Sequence, residues 1–504
     1  MRTANKIIKT TISIFLLVSF CVSFLLFLSC AKQEDAKDTE SPTAADDLAE
    51  STPEAEESNV KTYQFPEDAD YGGYQMRILN LDDEMIHWAI TPIFVEEETG
   101  DVIMDSAYRR NAIVEEGLNV TIKEIYSTDP SALIRKTVNA GTDDYDVAFT
   151  YSNAAGTLAS QGIYLDLFGI NAFKFDELWW DQGAIECFEL MNSLYFTTSD
   201  AHIMTNDSIW VMYFNKQMVQ DYGLDNPYQL VRENKFTMDA MLNMMRAVVT
   251  DLDGDGAYTV DDLWGISSHG FATTAFLLCT DSPLIKKDKD GIPYLLDPNE
   301  RFINAYTKTR EFLNKNNGMF LDAQGTYPGK SAEYDHPTKT FLANKSLFCG
   351  ECLSHTRVFR EMENDFGILP HPKLDSNQER YLTLMVDTTP CFGIPITNPD
   401  PERTGAFMEA LTGVSATTVI PAYYDVSMTN KFTRDEDSVE MLDLIRANRV
   451  YELAIVYNWG GFYGSLQNQG FAANGENPLT VYEKQTDKTI TAINKTIETF
   501  EANN

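Results

Sequence analysis

Positive charge is scarce in this sequence. Its 504 residues carry 39 Lys and Arg against 76 Asp and Glu, a net charge of −37. Such a surface repels polyanions, which excludes nucleic acid as a partner and disfavours anionic lipid. Neutral or cationic ligands and divalent metals remain compatible. Histidine is equally sparse, with six scattered residues. There is no His-Glu-x-x-His, no Gly-x-Ser-x-Gly and no phosphate loop, so the metalloprotease, serine-hydrolase and nucleotide-binding signatures are missing. No internal repeat is present, which argues against an adhesion or scaffold array. Cysteine is limited too. Beyond Cys30 there are Cys187, Cys279, Cys349, Cys352 and Cys391, an odd number that excludes a complete disulfide framework. Cys349-Gly-Glu-Cys352, with His355 three residues on, has the spacing of a redox or metal pair, but no second pair completes a zinc site. Buried small side chains, a local disulfide and zinc are the three readings, the first preferred.

Long hydrophobic runs are confined to one place. After Arg2, Lys6 and Lys9, the segment Thr11–Leu28 has no charge, and Ser29-Cys30 follows. That layout predicts a secretory signal over 1–29, with an uncleaved membrane anchor as the alternative. FLSC resembles the bacterial lipoprotein box, departing from it at Phe27 and Leu28, and implies lipid attachment at Cys30. The following segment, 30–60, has ten acids, no aromatic residue and almost no aliphatic ones. It has too little apolar surface to offset its ordering entropy, so it reads as a tether. The expected location is the extracellular face of the cell membrane.

The remainder is aromatic-rich and too long for one core. Strand patterns at Tyr74–Leu81, Val120–Ile125 and Asp144–Tyr151 alternate with helical patterns over 96–120, Leu133–Ala140 and Ala154–Ser160. This alternation predicts an α/β fold built from βαβ units. A second series begins with a β-like Tyr195–Ser199 and the apolar strand Ile209–Phe214. It continues with a Thr237-capped helix, strands at Asp365–Pro370 and Thr383–Val386, and helices at Pro401–Thr412, Ser438–Ala447 and Thr480–Ala502.

One short loop carries a specific motif. In DLDGDGAYTVDD, Asp251, Asp253, Asp255, Gly256 and Asp262 occupy positions one, three, five, six and twelve of an EF-hand calcium loop, and Gly256 would aim the Ala257 carbonyl inward. A hard cation offsets the mutual repulsion of alternating carboxylates. Asp262 replaces the usual Glu, and Leu263-Trp264-Gly265 leads into a strand pattern rather than an exit helix. A sensor needs two helices that move apart. The loop is therefore predicted to hold a structural Ca2+, with Asp251, Asp253, Asp255, Ala257 and Asp262 as its ligands.

Several segments, in order, resemble the extracellular solute-binding proteins of ABC importers, particularly the carbohydrate-binding group. They are DYDVAFTYSNAAGTLASQGIYLDL, YFNKQMVQDYGLDNP, the helix before DLDGDGAYTVDDLWGI, FLANKSLF, and DFGILPHPK followed by CFGIPITNPD. The resemblance implies a two-lobed, periplasmic-binding-protein-like type II fold, each lobe a mixed sheet flanked by helices, with ligand in a cleft at the hinge. It divides the chain into 61–200 in lobe 1, 201–383 in lobe 2, a return to lobe 1 over 384–425, and C-terminal helices over 426–504 mainly on lobe 2. Crossings are expected near Ser199–His202 and Tyr381–Thr389. It further implies a monomer that delivers a carbohydrate to a membrane permease.

Sugars offer apolar faces to aromatic rings and hydroxyls to carboxylates and amides. Trp459, in a Gly-containing aromatic loop, is the foremost candidate platform. Trp179, Trp180, Trp210, Tyr463 and Tyr151 follow, with core packing the competing reading. Asp207 and Asp387 are the polar candidates. The rival function is a secreted, calcium-stabilised glycoside hydrolase, which needs two carboxylates across a sugar. No catalytic pair stands out.

Overall fold

The computed structural model describes residues 61–82, 86–313, 317–322, 336–429, 436–467 and 477–503. The signal segment, Cys30, the tether and the 430–435 part of the expected return to lobe 2 lie outside them. Among the described residues no helix is long and apolar enough to cross a membrane.

The first lobe is built around β1 (Tyr74–Leu81), α1 (Val102–Leu118), β2 (Val120–Ser127), α2 (Pro130–Ala140), β3 (Val147–Tyr151), α3 (Ser152–Ala159) and α4 (Gln182–Phe188). Local chemistry sets several of these boundaries. Asp101 accepts the Ile103 and Met104 N–H groups to start α1, and Asn119 ends it in the left-handed region at φ 49°. Asp129 caps α2 ahead of Pro130, and Gly141 closes it at φ 67°. The strand expected at Tyr195–Ser199 is reduced to a single antiparallel bridge, Thr197 to Phe392.

The second lobe contains β4 (Trp210–Asn215), α5 (Met238–Val248), β5 (Trp264–Ser268), α6 (Phe271–Leu278), the hairpin β6 (Ile285–Lys287) and β7 (Pro293–Leu295), α7 (Glu300–Phe312) and β8 (Phe320–Asp322). It continues with β9 (Ser346–Cys352), β10 (Phe366–Leu369) and β11 (Thr383–Leu384). The chain then adds β12 (Pro390–Gly393), α8 (Pro401–Ser415), α9 (Val419–Thr429), α10 (Glu436–Ala447), β13 (Arg449–Val450), α11 (Leu453–Val456), α12 (Phe462–Ser465) and α13 (Pro478–Asn503).

Among the described residues the first sheet has the order β12-β3-β1-β2 and the second β10-β4-β9-β5-β8. In the first, β1 is parallel to β2 and β3, while β12 runs antiparallel to β3. In the second, β5 is parallel to β8 and β9, while β4 is antiparallel to β9 and β10. Both are mixed sheets. The chain passes between them twice, once between Thr197 and Trp210 and once between Leu384 and Pro390. The two passages lie side by side: Ile209 bridges Met385, and Thr198 Oγ1 donates to the Pro390 carbonyl at 3.0 Å. Two short adjacent connections of this kind form a hinge.

The C-terminal helices over 436–503, expected mainly on lobe 2, touch both lobes. Helix α10 does sit on β10, but α11 packs on α3 of the first lobe. Gly156 makes this contact close: a Cβ there would meet the Val456 carbonyl oxygen at 2.4 Å. The last helix touches both lobes, with Phe500 against Tyr195 and Tyr482 against Phe302.

All five described cysteines are free. Residues three apart on a strand point to opposite faces. Accordingly, Cys349 packs in one apolar cluster and Cys352 in another. A disulfide or a shared zinc ion between them is excluded by that geometry.

Candidate ligand cleft at the hinge

Open α/β sheets bind ligands at the carboxyl ends of their strands. In the first lobe that end is Tyr151, where β3 runs directly into α3. Ser152 Oγ donates to the Asp387 carbonyl at 2.9 Å, and its N–H donates to the Thr389 carbonyl at 2.8 Å. Asn153 Nδ2 lies 3.4 Å from Asp387 Oδ2. These contacts fasten the second hinge passage to the end of β3 and place the half-buried Asp387 there. Burial raises the Asp387 pKa, against the opposing effect of its hydrogen bonds. Burial and the nearby Asp387 charge raise those of the Tyr151 and Tyr463 phenols. Tyr463 on α12 is 7% exposed, and a side-chain hydrogen bond with Thr274 on α6 opposes the rise in its pKa.

The second lobe supplies the ends of β5 and β9, which run parallel with Ser268 opposite Gly350. Just beyond them, His269 Nε2 approaches Glu351 Oε1 at 2.5 Å, and His355 Nδ1 lies 3.7 Å from Oε2. Glu351 is 1% exposed. Burial pulls its carboxyl up, but His355 and His269 outweigh that and the pKa is lowered. Trp210, at the start of β4, packs edge-on against Phe271 at 5.1 Å, and its buried indole N–H has no partner among the described residues. A buried donor left unpaired costs about 1–3 kcal/mol. Trp210 Nε1 is such a group, opposite Cys352 at the end of β9, while Tyr463 and Tyr151 lie near the Asp387 carboxylate. They mark a place suited to a neutral, hydroxyl-rich ligand.

The structure thus brings Tyr151, Tyr463, Asp387 and Trp210 to the cleft region. It engages the other four candidates internally. Trp179 and Trp180 donate their indole N–H groups to the two oxygens of Glu409, each at 2.9 Å. Trp459 is 3% exposed, stacks on Tyr457 at 4.5 Å and donates to Thr496 Oγ1 on α13 at 2.8 Å. It packs the final helix onto the body and presents no open face to a sugar. Asp207 is fully buried and accepts from Arg357, Tyr423 and the Ile90 N–H. Sequence reading missed His269 and Glu351. The available signal was His269-Gly270, directly after a strand and before a helix.

The acidic loop is folded tightly before β5. Thr250 and Leu263 bridge across its base, and Gly254 and Gly256 adopt φ 74° and 86°. Asp251, Asp253 and Asp255 each offer an oxygen within 4.8 Å of the others. Hydrogen bonds from Gly256 and Gly254 hold the Asp251 pKa down. The Asp255 N–H lowers that of Asp253, but desolvation and the Asp255 and Asp251 carboxylates outweigh it and the pKa rises. This crowding suits a hard cation. Asp262 falls outside the trio: Leu252 N–H donates to one oxygen, and the Thr259 N–H and hydroxyl donate to the other. In this arrangement the loop backbone, rather than the aspartate trio, engages Asp262. The loop opens β5, and His269 follows its far end, so loop and cleft lie at opposite ends of one strand.

No protein-family model matches this sequence, and no curated protein matches it. Solved structures do. A sugar transporter from Rhizobium etli in an open conformation is similar over 83% of this chain and 99% of its own, at 15% identity and a TM-score of 0.55. An ABC substrate-binding protein from Listeria monocytogenes in complex with cycloalternan covers 84% of this chain and 99% of its own, at 12% identity and a TM-score of 0.52. A cyclo/maltodextrin-binding protein complexed with maltotetraose covers 85% and 96%, at 11% identity and a TM-score of 0.53. The chain therefore has the two-lobed α/β fold of the ABC substrate-binding proteins, as its sheets and double hinge passage define it.

Proposed function

We propose that this protein is a solute-binding receptor that captures a carbohydrate, an oligosaccharide by preference, between its two lobes and delivers it to an ABC permease. The observation that carries this reading is the unpartnered buried Trp210 indole N–H at the strand ends of the second sheet, with Tyr151 and Tyr463 gathered around Asp387 where the first sheet meets the hinge. The sugar ligands of the similar structures support it. Capture proceeds by hinge closure, with aromatic faces and Asp387 exchanging water for sugar hydroxyls. The receptor is a monomer and does not turn its ligand over: Glu351 is held between two histidines, His269 and His355. Lipid at Cys30 and the acidic tether hold it at the extracellular face of the membrane. A Ca2+ ion held by Asp251, Asp253 and Asp255, with the Ala257 carbonyl, fastens the end of α5 to the start of β5. A thermal-shift screen against mono- and oligosaccharides tests the binding role. A saturable rise with an oligosaccharide and no hydrolysis is expected; saccharide turnover would sink it in favour of a glycoside hydrolase.

A further inference from the structure

A cavity of about 430 Å3 opens beside the second hinge passage. Its wall includes Arg380, Arg446, Arg449, Lys286 and Lys287. Five bases around one small cavity are unexpected in a chain of net charge −37. Chain segments far apart in sequence bring them together. Arg380 lies just before β11, and Arg449 opens β13, which pairs with β11 through Thr383 and Arg449. Arg446 ends α10, and the two lysines come from β6.

The acids at this cavity, Asp181, Glu186 and Glu452, offset its five bases only in part. Asp181 is committed to Arg449, pairing with its Nη2 at 3.0 Å, and also accepts from Tyr451 Oη at 2.9 Å and the Ala184 N–H at 3.1 Å. Glu452 is turned inward, accepting the Ile285 N–H at 3.2 Å. Glu186 is exposed on the rim. Asp200 lies near Arg449, behind the wall. Meanwhile the Lys287 ammonium donates to the carbonyls of Glu186 and Glu189 rather than to a carboxylate. The Arg449 side chain is 11% exposed, yet its Nε and Nη1 have no partner among the described residues. Nor does Arg446 Nε, although its guanidinium stacks over the Tyr424 ring at 4.0 Å. Planar guanidinium donors in this arrangement match carboxylate or tetrahedral oxyanions, and a bound anion would relieve the repulsion among the bases that no carboxylate pairs.

We propose that this cavity is a second ligand site, distinct from the sugar cleft, that takes a small oxyanion-bearing solute at the hinge. Sulfate, as the tetrahedral probe, and succinate, as the dicarboxylate probe, are titrated against the whole protein at constant ionic strength, and melting temperature is read against chloride. Neither probe strips calcium at low millimolar concentration. The expected result is a saturable rise with at least one probe, and the larger rise tells tetrahedral from carboxylate chemistry. Arg380 and Lys286 are exposed, so the double variant Arg380→Gln, Lys286→Gln should melt like the wild type without anion and lose the saturable rise. A rise no larger than that in chloride would overturn the site, as would an undiminished rise in the double variant.

Discussion

Arg357 holds Asp207 in a two-pronged ion pair, with Nη1 at 2.7 Å from Oδ1 and Nη2 at 3.0 Å from Oδ2. The pair ties the first hinge passage to the second lobe, and Tyr423 and the Ile90 N–H complete the carboxylate's shell. Breaking a buried pair strands the remaining charge, at about 3–5 kcal/mol. The Arg357 side chain is 27% exposed, so water relieves part of that cost. Asp207→Asn should lower unfolding stability by about 3 kcal/mol in urea denaturation. The folded fraction should keep its saccharide affinity. A loss of affinity without a loss of stability would return Asp207 to the ligand.

Trp459 should behave as a core residue. Trp459→Ala removes a buried indole and its bond to Thr496, and a loss of about 3–5 kcal/mol is expected. Trp459→Phe retains most of the packing and should lose about 1 kcal/mol with the hydrogen bond. Calorimetric titration of saccharide with the phenylalanine variant should match the wild type. A tenfold weakening there would show that the indole meets the ligand.

Asp387 should show the opposite separation. Burial raises its pKa, so the ligand-free protein gains nothing from the charge. Asp387→Asn should leave the melting temperature unchanged or slightly higher. A hydrogen bond to a charged group contributes about 1.5–3 kcal/mol, so saccharide affinity should fall at least roughly tenfold. Unchanged affinity in the titration would remove Asp387 from the cleft.

Calcium occupancy should appear as a chelator-dependent melting temperature. With free cation at about 100 times its dissociation constant, the loop contributes about 2.7 kcal/mol. Chelation should remove that, and replacing Asp251, Asp253 and Asp255 together by Asn should make the protein insensitive to chelator. A chelator without effect on the wild type would refute the calcium reading.

Glu452 should give the protein a pH-dependent stability. Desolvation raises its pKa from 4.5 to about 7, against backbone N–H donors including Ile285 and Ala454. Because the folded value lies above the unfolded one, the folded state binds more protons between them. Stability from this group is therefore full below pH 4.5 and is lost as pH rises through 7. The span corresponds to about 3 kcal/mol. Glu452→Gln keeps an acceptor for both N–H groups and should flatten that slope in denaturation series across this range. An unaltered slope would assign the dependence elsewhere.

The sequence by itself determined what depends on near neighbours. The period of β1, the Thr237 cap, and the Asp251-Asp253-Asp255 spacing were legible because each acts within a few residues. The absence of an exit helix was legible too, since Leu263-Trp264-Gly265 leads straight into β5. Which aromatics and acids face a ligand was decided only by tertiary structure. Asp207 looked like a free carboxylate until Ile90, Arg357 and Tyr423 were drawn to it from distant segments. Trp459 and Thr496 are 37 residues apart in sequence, and their contact closes the face a sugar would need. His269 and Glu351 meet because β5 and β9 are parallel neighbours, a pairing written in neither strand alone. Residue type sets what chemistry a side chain can perform. Burial and long-range pairing decide whether its polar atoms stay free for a ligand, and those depend on segments that only the folded chain brings together.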